Sequence, residues 1–223
     1  MNQATAGTRR TPVWDLPTRL FHWALVALII ALYVSQRINR MDLHVAAGII
    51  VLALLIFRIL WGFFGAETAR FRHFAAAPAK ALEHLLHLAR REPDRTVGHN
   101  PAGAWMVFLL LGLLFGETLS GLYTNNDIAN EGPFTEIVPA PLANFISDLH
   151  TILWDALLGA IALHLLAIFI YAVLKRQNLV GPMLTGTKRL PRDVAPPRFA
   201  SLALALLLAA GSAGAALLMA NFL

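Results

Sequence analysis

Four of the eight histidines fall in or at the ends of long apolar runs: His22, His44, His150 and His164. An ionisable side chain in lipid is costly, so each needs a reason to be there. The mundane reason is a hydrogen bond between helices or at the headgroup level. The spacing points further. His150 and His164 share one run, Phe145–Leu174, and are fourteen residues apart. At roughly 100° and 1.5 Å per residue, both rings fall within about 40° of one helix face and about 21 Å apart along the axis. One helix then presents an imidazole near each side of a membrane. Neutral imidazole is a common axial ligand of haem iron, and two of them saturate it. Such an iron has no open position for oxygen or substrate and serves to move electrons. A single zinc site is excluded, because the two levels lie about 20 Å apart.

The elements that must position these rings are apolar helices. The chain has 223 residues, 57% hydrophobic and 14% charged, with a mean hydropathy of +0.62. A water-soluble domain of this size carries more charge. Five apolar runs stand out: Leu20–Ser35, Leu43–Phe64, Ala104–Thr124, Phe145–Leu174 and Phe199–Leu223. Each is read as a membrane-spanning helix, because an open strand cannot satisfy its backbone in lipid and the runs are too continuously apolar for barrel strands. The first run follows a basic segment without a cleavage site and is read as a retained span, not a signal peptide. No cysteine is present, which excludes disulfides, thiolate metal sites and covalent haem attachment through CxxCH.

The loops set the orientation. The N-terminal segment and the second and fourth loops together hold fifteen Lys and Arg, and the first and third loops hold two, Arg37 and Arg40. The positive-inside rule places the N-terminus in the cytoplasm and the C-terminus outside. It also accounts for the net charge of +5 without nucleic acid as a partner. His44 and His150 then begin their spans at the outer level. His22 begins the first span on the cytoplasmic side, and His164 lies deeper along the fourth toward that side. Two same-level pairs result, His44 with His150 and His22 with His164.

Other polar groups near the spans have two readings each. Arg58 follows His44 by fourteen residues, and Arg19 precedes His22 by about one turn. Either can face a haem propionate or snorkel to lipid phosphates. Glu117 and Asp155 read as buried acids; Asp155 orients a ligand, passes protons to a quinone, or makes a polar contact between helices. Gly48, Gly112, Gly116, Gly121 and Gly159 suit either a flat macrocycle or close helix packing. In the second loop, Pro78–Arg91 has the pattern of a helix lying on the membrane surface. His84 and His87 on it, like His73 and His99 in the loops, read as solvated rather than metal-binding. The third loop is acidic, with Asp127, Glu131 and Glu136, followed by Asp148. It is suited to steering a basic soluble partner or is simply solvated.

The stretches VWDLPTRLFHW (13–23), DLHVAAGIIVLALLIFRILWGFFG (42–65) and GHNPAGAWMVFLLLGLLFGETLSGLY (98–123), with His150 and His164, resemble the bacterial di-haem cytochrome b561 and nickel-iron hydrogenase b-type cytochrome family. That family is related to the membrane subunit of formate dehydrogenase. The resemblance runs from about Val13 to Gly186. It implies an all-α integral membrane protein, a four-helix di-haem bundle plus a fifth C-terminal transmembrane helix. Residues 1–198 would form the cytochrome domain and 199–223 the additional helix. By resemblance, His22 and His164 hold the cytoplasmic-side haem b and His44 and His150 the outer one.

The implied function is electron transfer across the bacterial inner membrane, between a redox partner such as a hydrogenase or a c-type cytochrome and a quinone or other acceptor. The alternatives are a stand-alone superoxide:quinone oxidoreductase and a non-redox membrane protein whose histidines bind nothing.

Overall fold

The computed structural model describes residues 7–87, 94–125 and 132–221. Arg90, Arg91, Asp127, Glu131 and the end of the anticipated surface helix lie outside the described residues. Five helices are long and apolar enough to cross a membrane: α1 (Leu16–Arg37), α2 (Met41–Phe64), α5 (Pro101–Gly121), α6 (Ala140–Leu174) and α8 (Leu202–Asn221). Shorter helices α3 (Phe71–Phe74), α4 (Pro78–Leu86) and α7 (Val180–Thr185) lie in the connections. The all-α expectation holds, with one addition. Strands β1 (Thr8–Pro12) and β2 (Thr187–Pro191) form a two-stranded antiparallel ribbon, with Arg9 opposite Leu190 and Arg10 opposite Arg189.

The helix ends follow from local chemistry. Asn100 Oδ1 accepts the Gly103 N–H at 2.7 Å, and Pro101 follows it, so α5 starts with a side-chain cap and a proline that has no amide to satisfy. Ser201 Oγ accepts the Leu204 N–H at 3.2 Å and starts α8. Asn39, with φ of 55°, ends the turn between α1 and α2. Gly186, with φ of 79°, terminates α7 in the left-handed region. A Cβ at Gly186 would also lie 2.9 Å from the Trp14 carbonyl oxygen, so glycine is required there twice over.

Two sets of residues form separate compact units. The first comprises residues 1–20, 60–108 and 162–205. In it, Val13 and Trp14 donate their amides to the Gly186 carbonyl, extending the ribbon toward α1. Trp61, fully buried, donates Nε1–H to Asp15 Oδ2 at 2.9 Å. Phe71 lies over Gly62, where a Cβ would come within 2.1 Å of its ring. The segment leading to α8 is fastened by a reciprocal pair: Glu67 N–H donates to the Arg198 carbonyl at 2.9 Å, and Arg198 N–H donates to the Glu67 carboxylate at 2.8 Å. That amide holds the Glu67 carboxyl below its usual range.

The second unit comprises residues 21–59, 109–161 and 206–223. Its core brings together Leu52 of α2, Leu122 just after α5 and Ala216 of α8, with Ile49, Ile56, Phe134 and Met219 packed around them. Tyr33 of α1 stacks on Trp154 of α6 at 5.9 Å between ring centroids and 14° between planes.

Four spans start earlier than hydropathy alone indicates, α1 and α6 by the most. Helix α1 begins at Leu16, not Leu20, because Asp15 is buried against Trp61 instead of marking the water boundary. Helix α6 begins at Ala140, five residues before Phe145. His22 and His150 therefore lie inside their helices, not at the ends.

The Trp61–Asp15 bond gives a test. Trp61→Phe keeps an aromatic ring but takes away the hydrogen bond to a buried carboxyl and leaves a small void where the indole was larger. It should destabilise the protein by about 1–3 kcal/mol, seen as a lower thermal midpoint in detergent with helix content unchanged before melting.

Candidate functional site

In the second unit, His44 and His150 are each held by one ring nitrogen. His44 Nδ1 lies 3.0 Å from the Leu32 carbonyl oxygen of α1. A carbonyl only accepts, so Nδ1 carries the proton and a neutral ring keeps its lone pair on Nε2. His150 repeats the arrangement against α5. Its Nδ1 lies 3.0 Å from the Glu117 carbonyl oxygen and 2.9 Å from Ser120 Oγ. Ser120 Oγ donates to that same carbonyl at 3.0 Å, so its lone pairs remain available to the imidazole N–H.

Helix α5 makes room for the His150 ring. A Cβ at Gly121 would stand 3.1 Å from His150 Cε1. Gly116 packs in the same way against Leu153, whose Cδ1 would be 3.2 Å from a Cβ there. These two glycines serve close approach of α5 and α6. Gly48 differs: it lies one turn after His44, and a Cβ there would meet nothing within 4 Å. That open space beside a ligand-type nitrogen suits a flat ring lying against the α2 backbone.

Glu117 is largely buried, and its Oε1 lies 3.4 Å from His150 Nε2. An ion pair there requires a second proton on the imidazole. Ligation through Nε2 excludes that proton, so metal binding and the Glu117 ion pair are mutually exclusive states of His150.

His22 and His164 belong to different units. His22 is half-buried on α1, edge-on to Trp23 with ring centroids 5.0 Å apart. Arg58, also in the second unit, is only 3% exposed, which is incompatible with snorkelling to water. His164, in the first unit, is half-buried on α6. Arg19, in the same unit, donates Nη1–H to the Leu184 carbonyl at 2.6 Å, and its Nε is buried without a hydrogen-bond partner among the described residues. A cation with an unused buried donor suits an anionic group such as a propionate.

Other expectations change. Asp155 lies on the exposed face of α6, not in the interior. It is five residues from His150, about 140° around the helix, so it points away from the side on which His150 meets α5. His84 is not a solvated side chain, since its Nε2 lies 2.6 Å from Tyr171 Oη, which also accepts from Asn100 Nδ2 at 2.9 Å. His73 sits 3.7 Å from the Glu67 carboxylate, and His99 lies between the rings of Trp14 and Phe74. Among the described residues, no three His, Cys, Asp or Glu side chains converge as a metal site. The contributions of Leu32, Ser120 and the Glu117 carbonyl carry no sequence signal, because every residue has a carbonyl and only packing decides which one an imidazole reaches.

A family model described as prokaryotic cytochrome b561 matches residues 13–186. A probable Ni/Fe-hydrogenase B-type cytochrome subunit of Rhodobacter capsulatus is 25% identical, over 83% of this chain and 84% of that protein. Proteins of the same description from Azotobacter chroococcum mcd 1 and Bradyrhizobium diazoefficiens are each 24% identical, over 81% and 79% of this chain and 89% and 85% of theirs. No solved structure matches the chain significantly. A family-model match over most of the chain, on five helices long and apolar enough to cross a membrane, identifies it: this chain belongs to the prokaryotic cytochrome b561 family, as a multi-pass membrane protein that uses haem b to transfer electrons.

Proposed function

We propose that this chain binds two b haems and conducts electrons across the bacterial inner membrane between a redox partner and the quinone pool. One observation carries the reading. His44 and His150, in one unit, both give Nδ1–H to a backbone carbonyl and so both keep Nε2 for a metal. Haem-ligating histidines are oriented and made more basic by such second bonds. His44 and His150 would hold the outer haem, and His22 and His164 the cytoplasmic-side one. Arg19 and Arg58 would face propionates of the latter. The haem supplies a reversible one-electron carrier; the chain supplies four neutral imidazoles, apolar walls and cationic partners for the propionates.

Residues 1–198 would form the di-haem domain, with the N-terminus in the cytoplasm, and residues 199–223 an added helix with its end outside. The bias of Lys and Arg between alternate loops supports this orientation. The relatives' descriptions as hydrogenase subunits support a hydrogenase as the donor or acceptor; a c-type cytochrome is the other partner class. Glu136 and Asp148 supply outward-side negative charge to guide such a partner.

Haem stoichiometry tests the assignment. The purified chain should contain two haems by pyridine haemochrome. His44→Ala and His150→Ala should each lower this to one, as should His22→Ala and His164→Ala, with the outer haem retained in the latter pair. Two haems in any of these variants would break the pairing. Gly121→Val should displace the His150 ring and remove the same haem that His150→Ala removes, while the other keeps its α band. To identify the reaction, reduction by a quinol or by hydrogenase plus hydrogen is compared with reduction by superoxide alone. Quinone-coupled superoxide oxidation by the isolated chain would point to the stand-alone enzyme instead.

A further inference from the structure

Helix α6 spans Ala140–Leu174, thirty-five residues. The hydrocarbon core takes about twenty residues of helix. Any twenty consecutive residues of α6 include Asp155, so this carboxyl lies within the apolar zone or at its boundary wherever the helix sits in the bilayer. Acidic residues at such depth almost always face a bundle interior, a wet cavity or a partner. Asp155 does not face the interior. It shares an arc of about 80° with Phe145, Ile152 and Gly159. All four are exposed, Phe145 and Ile152 by more than 60%. No hydrogen bond or ion pair links Asp155 to another described residue.

Gly159, one turn beyond Asp155, adds the steric half of the argument. A Cβ there would meet nothing within 4 Å, so the backbone of α6 is bare on this face. A bare turn lets another helix approach closely, and polar groups then bond across the contact. We propose that this face of α6 docks a transmembrane helix of another protein, one carrying an arginine or lysine near its centre to pair with Asp155. Charge selects this occupant over a second copy of the chain. A two-fold contact centred here would set Asp155 against its own counterpart. The surface lies on the side of α6 opposite to the His150 imidazole and is independent of the number of haems bound.

The probes are two synthetic helices of about twenty leucines, one with a central arginine and one without. Association with the labelled haem-loaded protein is read by energy transfer in zwitterionic phospholipid vesicles. Interhelical polar pairs in membranes predict a preference for the arginine helix of roughly three- to fifteenfold. Asp155→Leu should abolish the preference, with haem content and α band unchanged as the control for folding. Should Asp155→Leu fail to fold, Gly159→Leu, which blocks close approach but keeps the carboxyl, should abolish it as well. Equal association of both helices, absence of association, or a preference that survives these substitutions would each overturn the proposal. So would self-association of two labelled copies that Asp155→Leu removes, which would assign the face to a second copy.

Discussion

The structure around His44 and His150 depends on a hydrogen bond from an imidazole to the backbone of a neighbouring helix. A helix carbonyl already bonded along its own ladder keeps acceptor capacity, and each of these two carbonyls takes a serine hydroxyl, Ser35 at Leu32 and Ser120 at Glu117, as well as an imidazole. Leu32 and Glu117 use theirs in this way. The consequence is electronic as well as positional. Proton and lone pair are assigned to opposite sides of each ring, and the side left basic is the side a metal needs. An imidazole merely packed in a hydrophobic span would settle neither.

The surrounding packing keeps those bonds in register. Stacking of Tyr33 on Trp154 joins α1 to α6 one residue beyond the Leu32 carbonyl. Gly121 lets His150 reach the α5 backbone, and Gly116 does the same for Leu153 one to two turns earlier. The fifth long helix meets α2 and the residue after α5 through Ala216 and Met219. In the other unit, connections usually treated as loops are tied by specific polar bonds. The ribbon joins segments about 180 residues apart in sequence, and Arg19 bonds to the Leu184 carbonyl beside Gly186.

Helix α6 shows how one apolar run serves two environments. His150 meets α5, while Asp155, five residues later, lies on the exposed side. Both are ionisable and equally improbable in a membrane span, and spacing of 3.6 residues per turn separates them. Reading Asp155 as an accessory to the histidine follows from proximity in sequence; the helix places it on the other side.

The amino-acid sequence by itself determined the number and kind of spanning elements, because apolar length is set by the bilayer and lipid tolerates few backbone conformations. It also singled out the four histidines, since an ionisable group in lipid stands out by cost alone. Tertiary structure alone decided which carbonyls receive His44 and His150, that Arg58 is buried, that Asp155 faces outward, and that two distant polar segments pair as strands. Those outcomes depend on which surfaces meet, and a carbonyl or an exposed strand edge has no residue type of its own to announce its partner.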